Sequence, residues 1–269
     1  MPVAPADWLQ ALLARNAGCA YLRSHGSPRD LAAFRRNVPV VAYEALEAEW
    51  LPRIVAGEAD VLFAGRPCAF ERTGGSSGGA KLIPYSGEGL ADFQSAVAPW
   101  LAATVDRFRI AHRVYLATSP ATRPQQAVGG VPVGLPDGAY LGAQWGLWVA
   151  AHSAVPLEVG AETDVARWRA RTLQALSSAR DLEMVSVWSP TFFLRLLDDL
   201  PDPRKLWPAL RLVSCWADGA SRGPAQELRA RLPQAHLQPK GLLSTECVAT
   251  VPDAQDRPVL NPHGFFEFE

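Results

Sequence analysis

A stretch rich in glycine and hydroxyl residues carries the clearest chemistry in the sequence. Residues 73–81 read Thr-Gly-Gly-Ser-Ser-Gly-Gly-Ala-Lys, between the apolar runs Cys-Ala-Phe and Leu-Ile-Pro-Tyr. Glycines let the backbone approach a ligand closely, and successive N–H groups in such a turn form an anion-binding concavity. Hydroxyl groups and Lys81 add donors and a positive charge. By composition alone, a Gly/Ser run of this kind is more often a hairpin tip or linker. The residues that flank this run favour a phosphate-binding loop instead.

The spacing of these residues excludes one familiar phosphate motif. In the Walker pattern, a second glycine is followed at once by lysine and then by a hydroxyl residue that holds magnesium. Counting from Gly74, the second glycine falls correctly at Gly79. However, Lys81 comes one residue late, and Leu82 occupies the position next to it. The Walker interpretation is therefore rejected.

A second motif makes Ser76 a candidate nucleophile. Gly74, Ser76 and Gly78 match the G-x-S-x-G elbow of serine hydrolases, which requires a strand before the loop and a helix directly after it. Pro84 disfavours helix in the residue before it, so a strand is expected over residues 81–84. A serine hydrolase stays the alternative to a loop that wraps a triphosphate between two short strands.

The elements around the loop predict an α/β protein. Residues 68–71 and 81–84 are predicted strands, and Ser86 caps a long helix whose apolar residues recur every three or four positions. Further strands are predicted at 114–118, 183–188, 210–216 and 235–238, with helices at 164–180 and 224–232 between them. This alternation predicts mostly parallel sheets covered by helices, with ligands beyond the carboxyl ends of the strands.

Two further blocks follow predicted strands. Residues 216–220 read Trp-Ala-Asp-Gly-Ala, a turn of small residues against which a flat base can lie. Residues 239–246 read Pro-Lys-Gly-Leu-Leu-Ser-Thr-Glu and end in a Thr-Glu pair. On the residues alone, the first block is equally a plain strand-to-helix turn, and a Thr-Glu pair is common.

Together, the loop of residues 73–81, the Leu-Ile-Pro-Tyr-Ser that follows it and these two blocks resemble the acyl-acid amido synthetases, which are the auxin-conjugating family and its bacterial relatives. These enzymes belong to the adenylate-forming superfamily. The resemblance implies its large amino-terminal domain, with ATP and Mg²⁺ as cofactors. It assigns adenine to Gly219 and Ala220, phosphate to Thr245 and Mg²⁺ to Glu246. The residues that it assigns to the triphosphate are Thr73, Gly75, Ser76, Ser77, Gly78, Gly79 and Lys81.

The implied reaction has two halves. A carboxylate attacks the α-phosphate of ATP to give an acyl-adenylate and pyrophosphate, and an amine, typically of an amino acid, then attacks the activated carbonyl. A thiol acceptor, as in acyl-CoA-forming ligases, is the close alternative, and a non-catalytic truncated relative is another. The first half needs charge neutralisation and positioning more than a protein nucleophile, so no Ser-His-Asp set is expected.

Composition limits the class of partner and the compartment. The 269 residues have a formal net charge of −1, which gives no electrostatic case for nucleic acid or for an acidic membrane. The four cysteines are far apart, so a reducing, cytoplasmic location is expected. No signal peptide is predicted. The uncharged stretch 138–157 contains polar and small residues, so it is predicted to be buried interior and not a membrane span.

The sequence divides into two predicted parts. Residues 1–60 form a helical preface, with helices expected at 6–16, from Ser27-Pro28 to about Arg36, and at 43–54. Residues 61–269 form the adenylation core, in which residues 122–142, rich in Gly and Pro, are expected to be loop. The resemblance implies that the mobile carboxy-terminal domain is lacking. A fragment of a longer chain is therefore expected, with a natural truncated protein as the alternative.

Overall fold

The structure, a computed structural model, describes residues 4–73, 81–117 and 126–268. Within this part, five short helices open the chain: α1 (Pro5–Arg15), α2 (Ala20–Ser24), α3 (Leu31–Asn37), α4 (Tyr43–Glu49) and α5 (Leu51–Val55). Leu9 and Leu13 of α1 are buried against Cys19 and Leu22. The predicted helix at 6–16 is confirmed, whereas the division at residue 60 stays a prediction.

Two of the predicted amino-terminal helices have different bounds. The helix expected from Ser27-Pro28 begins at Leu31, because the carboxylate of Asp30 accepts a hydrogen bond from the backbone N–H of Ala33 and caps it there. The helix expected over 43–54 is two helices that meet at Trp50. Pro52 near the start of α5 has no N–H to donate to the preceding turn, so α4 cannot continue through it.

The predicted strands on either side of residues 73–81 are confirmed. They are β1 (Ala69–Arg72) and β2 (Leu82–Tyr85), which pair antiparallel. The segment expected to be loop contains a hairpin instead, β4 (Gln126–Val128) and β5 (Val131–Val133), and β5 pairs parallel with β1. Gly129 and Gly130 both have positive φ, 58° and 79°, as a two-residue hairpin turn requires. The sheet order is β2-β1-β5-β4.

The main sheet confirms the predicted α/β class. Its strands are β3 (Arg113–Ala117), β6 (Leu182–Val187), β7 (Leu212–Cys215) and β8 (His236–Pro239). All neighbouring pairs are parallel, in the order β3-β6-β7-β8. The strands β6 and β7 are buried along their whole length, because helices cover both faces of such a sheet.

Helix α6 (Gly87–Arg107) covers one face of the main sheet. The Ser86 hydroxyl accepts from the backbone N–H of Gly89, as predicted for its cap, and Phe93, Val97 and Leu101 are buried against Met184 and Leu212. The opposite face is covered by α8 (Val165–Ser178), α9 (Pro190–Leu197) and α11 (Arg222–Arg231). The remaining elements are α10 (Pro203–Leu206) and a hairpin of β9 (Thr250–Pro252) and β10 (Pro258–Leu260).

The prediction that residues 138–157 are buried interior is wrong. Their main element is α7 (Gly142–His152), which lies on the surface, and its Leu147 side chain is 73% exposed. Trp148 is half-buried and stacks on His152 at 4.4 Å between ring centroids. A surface helix with an apolar outer face has the composition of a buried one, so composition alone was misleading. In the described part of the chain, no helix is long and apolar enough to cross a membrane.

Candidate nucleotide-binding site

Thr73 and Lys81, the described residues on either side of the predicted phosphate loop, are hydrogen-bonded to each other. The backbone N–H of Thr73 donates to the carbonyl of Lys81 at 2.9 Å, and the Lys81 N–H donates to Thr73 Oγ1 at 3.1 Å. The first of these bonds extends the backbone pairing of β1 and β2 by one residue pair beyond the strand ends. Five predicted phosphate ligands lie outside the described residues: Gly75, Ser76, Ser77, Gly78 and Gly79.

The Lys81 side chain contacts helix α4. Its Nζ lies 4.8 Å from the Tyr43 ring centroid and 3.3 Å from Glu44 Oε1. The Tyr43 hydroxyl donates to the Leu82 carbonyl and accepts from the Leu82 N–H, so α4 is fastened to the start of β2. A phosphate contact of Lys81 stays a prediction.

The chain after the loop does not form a nucleophile elbow. Residues 82–85 are the strand β2, and the first helix thereafter begins at Gly87. The elbow requires a helix directly after the serine, because the turn between strand and helix is what exposes the nucleophile. The context that a Ser76 nucleophile needs is therefore missing.

Tyr85 at the end of β2 joins the hairpin to the third sequence block. Its hydroxyl donates to the backbone carbonyl of Thr245. Burial raises the pKa of this phenol, and the negative charges of Glu71 and Glu246 raise it further. The phenol therefore stays protonated at neutral pH and can donate a hydrogen bond. The effect of Glu246 on its pKa also shows that this carboxylate lies near the Tyr85 hydroxyl.

Thr245 and Glu246 occupy the tip of a tight turn. The Ser244 N–H donates to the Cys247 carbonyl at 2.9 Å, and the Cys247 N–H donates to Ser244 Oγ at 3.3 Å. Thr245 is half-buried and Glu246 is exposed. The turn thus presents one carboxylate to solvent on a backbone that is fixed on both sides.

The start of this loop depends on Gly241. Its φ is +77°, and a Cβ placed there would lie 2.6 Å from Thr250 Oγ1 and 2.8 Å from the Thr250 carbonyl oxygen. The N–H of Leu242 donates to Thr250 Oγ1 at 2.7 Å. Glycine is therefore required where the chain leaves β8 and packs against β9.

Glu71 is a buried carboxylate that the sequence analysis missed. It accepts hydrogen bonds from the Leu135 N–H at 2.5 Å and from the Tyr140 hydroxyl. The Tyr140 ring also packs edge-on against Tyr85 and Phe93, at 6.2 and 5.5 Å between centroids. A charged residue directly after the apolar run Cys-Ala-Phe was the available signal. Its partners are 64 and 69 residues away in the chain, so the pairing could not be foreseen.

Gly219 and Ala220 lie beyond the carboxyl end of β7, in a 3-10 helix (Gly219–Ser221). Gly219 has a φ of +54°, and both residues are exposed. An open cavity of about 310 Å³ begins at Ala217, in the same turn, and extends between α11 and β8. Contact of these residues with adenine stays a prediction.

Lys240 is a second residue whose role the sequence did not reveal. It follows β8 directly, is only 5% exposed, and its Nζ donates to Ser186 Oγ at 2.6 Å. Burial lowers the pKa of its ammonium group to about 8. A lysine between Pro239 and Gly241 at the end of a parallel strand was the signal, since this edge is where such sheets bind ligands.

The described residues contain no preformed cluster of metal-binding side chains. In residues 4–73, 81–117 and 126–268, no three His, Cys, Asp or Glu side chains converge to hold a metal ion. The single exposed carboxylate of Glu246 fits a magnesium ion that takes its other ligands from phosphates and water, because Mg²⁺ is usually bound by one or two carboxylates.

The sequence model of the GH3 family N-terminal domain matches residues 4–202. The chain belongs to the GH3 family. Its relatives include the probable indole-3-acetic acid-amido synthetase GH3.1 of Oryza sativa subsp. japonica, 44% identical over 81 residues. That match covers 28% of this chain and 13% of the relative.

Other GH3 proteins agree in sequence and in fold. Indole-3-acetic acid-amido synthetase GH3.15 of Arabidopsis thaliana is 40% identical over 104 residues, covering 36% of this chain and 17% of the relative. The solved structure of AtGH3.15 acyl acid amido synthetase in complex with 2,4-DB superposes with a TM-score of 0.79 at 18% identity. That match covers 96% of this chain and 55% of the other, so this GH3 chain spans about half the length of the structure it resembles.

Proposed function

We propose that this GH3 chain is the nucleotide- and acid-binding part of an ATP-dependent amido synthetase. In the proposed reaction, a carboxylate attacks the α-phosphate of ATP, which gives an acyl-adenylate and pyrophosphate. An amine then attacks the acyl carbonyl, which forms the amide and releases AMP. Family membership supports the proposal, because the relatives named above are amido synthetases. An amine is therefore favoured over a thiol as the acceptor. A carboxy-terminal domain in a longer chain is part of the proposal.

One observation carries the assignment of the site. The hydrogen bond from Tyr85 to Thr245 holds the turn that bears Glu246 against the end of the strand leaving the phosphate loop. In the proposed site, Thr73, residues 75–79 and Lys81 bind the triphosphate. Gly219 and Ala220 bind adenine, and Thr245 contacts phosphate.

The proposed chemistry depends on charge and position. The exposed carboxylate of Glu246 would hold Mg²⁺, which neutralises negative charge on the phosphates as the acid attacks the α-phosphate. Backbone N–H groups of the glycine-rich loop would fix the phosphates for in-line attack, and preorganised donors of this kind need no rearrangement during the reaction. No protein nucleophile takes part in the first half.

A cytoplasmic location belongs to the same proposal. Cys19, Cys68, Cys215 and Cys247 are all free thiols in the described structure. Free thiols persist where glutathione and thioredoxin keep them reduced.

The test is ATP–pyrophosphate exchange with a panel of carboxylic acids. The proposal expects acid-dependent exchange that requires Mg²⁺ and is lost in Glu246→Ala. Glu227→Ala, on the exposed face of α11, is the matched control and should exchange like the unchanged chain. Exchange that is independent of added acid, or equal in both variants, would refute the assignment.

A further inference from the structure

The main sheet contains a polar cluster on the face covered by α6. Ser186, Ser214 and Gln238 are register neighbours on β6, β7 and β8, so their side chains point to the same face of the sheet. Their exposed fractions are 6%, 0% and 2%. Lys240 lies two residues beyond Gln238, and Trp100 of α6 lies over it. These five residues are named the polar cluster below.

The ammonium group of Lys240 is buried without a negative partner. Its Nζ donates to Ser186 Oγ and lies 4.9 Å from the Trp100 ring centroid. Among the residues that the structure describes, no carboxylate forms an ion pair with this ammonium group. The titratable group that would act electrostatically on Lys240, if it were ionised, is the Cys215 thiol on β7. Burial raises the pKa of this thiol to about 11, so the thiol is neutral at physiological pH and does not balance the ammonium charge.

Three other atoms of the polar cluster are buried without a hydrogen-bond partner in the described structure: Trp100 Nε1, Ser214 Oγ and Gln238 Oε1. Buried polar groups in folded proteins are nearly always paired. Two of these atoms belong to donor groups, and Lys240 has two further N–H groups besides the one bound to Ser186. The cluster therefore has an excess of donors and one positive charge, which calls for a ligand that is rich in acceptors and carries one negative charge.

We propose that Lys240, together with Ser214 and Trp100, binds a carboxylate group of the acid substrate at the carboxyl edge of the main sheet. A carboxylate matches the single ammonium charge, and its oxygens accept from the spare donors. A triphosphate carries more charge than one lysine neutralises. This inference rests on the proposed function, since it names the substrate group that the chain recognises. The group is either the reacting carboxylate or a second carboxylate on a diacid.

The experiment is calorimetric titration of the 269-residue chain with phenylacetate, 1,4-phenylenediacetate and neutral phenylacetamide at pH 8. Binding of at least one acid is expected, with uptake of about half a proton per site, because the free ammonium group is half-titrated at this pH. Proton uptake is measured by repeating the titration in buffers of different ionisation enthalpy. Phenylacetamide should not bind. Binding of phenylacetate indicates the reacting carboxylate, and binding of the diacid alone indicates the second one.

Three single-residue variants test the contribution of Lys240 to acid binding and proton uptake. Lys240→Met should weaken acid binding by at least about 30-fold and abolish proton uptake, because it removes one partner of a buried charge pair. Ser214→Ala should weaken binding while uptake persists. Lys205→Met, on an exposed lysine, is the matched control. Absence of binding by both acids, equal binding by Lys240→Met, or Lys240-dependent binding of ATP in place of the acids would overturn the proposal.

A parallel exchange assay separates this inference from the proposed function. If acids bind with Lys240-dependent proton uptake and no ATP–pyrophosphate exchange occurs, the carboxylate site stands and the proposal that this chain by itself catalyses adenylation is refuted. If exchange occurs with equal KM for the acid in Lys240→Met, the activity stands and the carboxylate site is refuted.

Discussion

The Tyr85 hydroxyl donates a hydrogen bond to the backbone carbonyl of Thr245, which is 160 residues away in the chain. Through this bond, the end of the β1–β2 hairpin contacts the turn that presents Glu246. The contact is the structural link between two blocks that the sequence could only place in order, and the first prediction tests it.

Replacing Tyr85 by Phe removes the hydroxyl and keeps the ring. Loss of one hydrogen bond is worth about 0.5–1.5 kcal/mol, so we expect Mg²⁺-ATP to bind about 2- to 12-fold more weakly. Fluorescence titration with a labelled ATP analogue measures the change. Tyr21→Phe is the control, because the Tyr21 hydroxyl makes no hydrogen bond within the described structure and its ring packs on Trp50. Equal affinity in Tyr85→Phe would show that the contact does not shape the site.

Glu71→Gln tests the buried carboxylate. The change weakens two charge-assisted hydrogen bonds, from the Leu135 N–H and the Tyr140 hydroxyl, so the free energy of unfolding should fall by about 1–3 kcal/mol. Urea denaturation measures this change. The exposed Glu58→Gln should have little effect, although it also loses an ion pair, with Arg53. A Glu71→Gln protein as stable as the unchanged chain would mean that water or another group satisfies these donors.

Lys240 makes stability depend on pH in the alkaline range. Its pKa is about 8 in the folded chain, below the ordinary 10.5, so between these values the unfolded chain binds more protons. Stability should therefore rise by about 3 kcal/mol from pH 8 to pH 10.5 through this group. Lys240→Met should lack this rise and be more stable at neutral pH. Unfolding curves at several pH values test it, and parallel pH profiles for both proteins would contradict it.

Gly241→Ala should destabilise the chain by about 1–3 kcal/mol, because alanine is strained at positive φ and its Cβ would collide with Thr250. Gly223→Ala is the matched control. Gly223 lies in α11 with an ordinary φ, and a Cβ added there would meet nothing within 4 Å, so that variant should gain about 0.5–1 kcal/mol. Thermal unfolding compares the two, and equal effects of both changes would contradict this account.

Local signals explain which parts of the fold were predictable. The Ser86 cap and the three- and four-residue spacing after it identified α6, and the apolar runs identified β6 and β7. By contrast, Asp30 was overlooked as a cap in favour of Pro28. The surface position of α7 depends on what packs beneath it, which composition does not contain.

The site was predictable only where motifs are contiguous. Residues 73–81 and 239–246 were recognised as blocks, whereas Glu71 and Lys240 acquire their roles from partners distant in sequence, namely Tyr140 and Ser186. Burial of a charge depends on tertiary packing, so no local pattern predicts it. The roles assigned to residues 75–79 stay predictions, since those residues lie outside the described part of the chain.

The most direct test of the central claim is Mg²⁺-dependent ATP binding by this chain and by its Glu246→Ala variant, with Glu227→Ala as the control. We expect the unchanged chain and the control to bind ATP with an affinity that falls when Mg²⁺ is chelated. Glu246→Ala should bind weakly and be insensitive to chelation. Equal, Mg²⁺-dependent binding by all three proteins would contradict the assignment of Glu246 and of the site built around it.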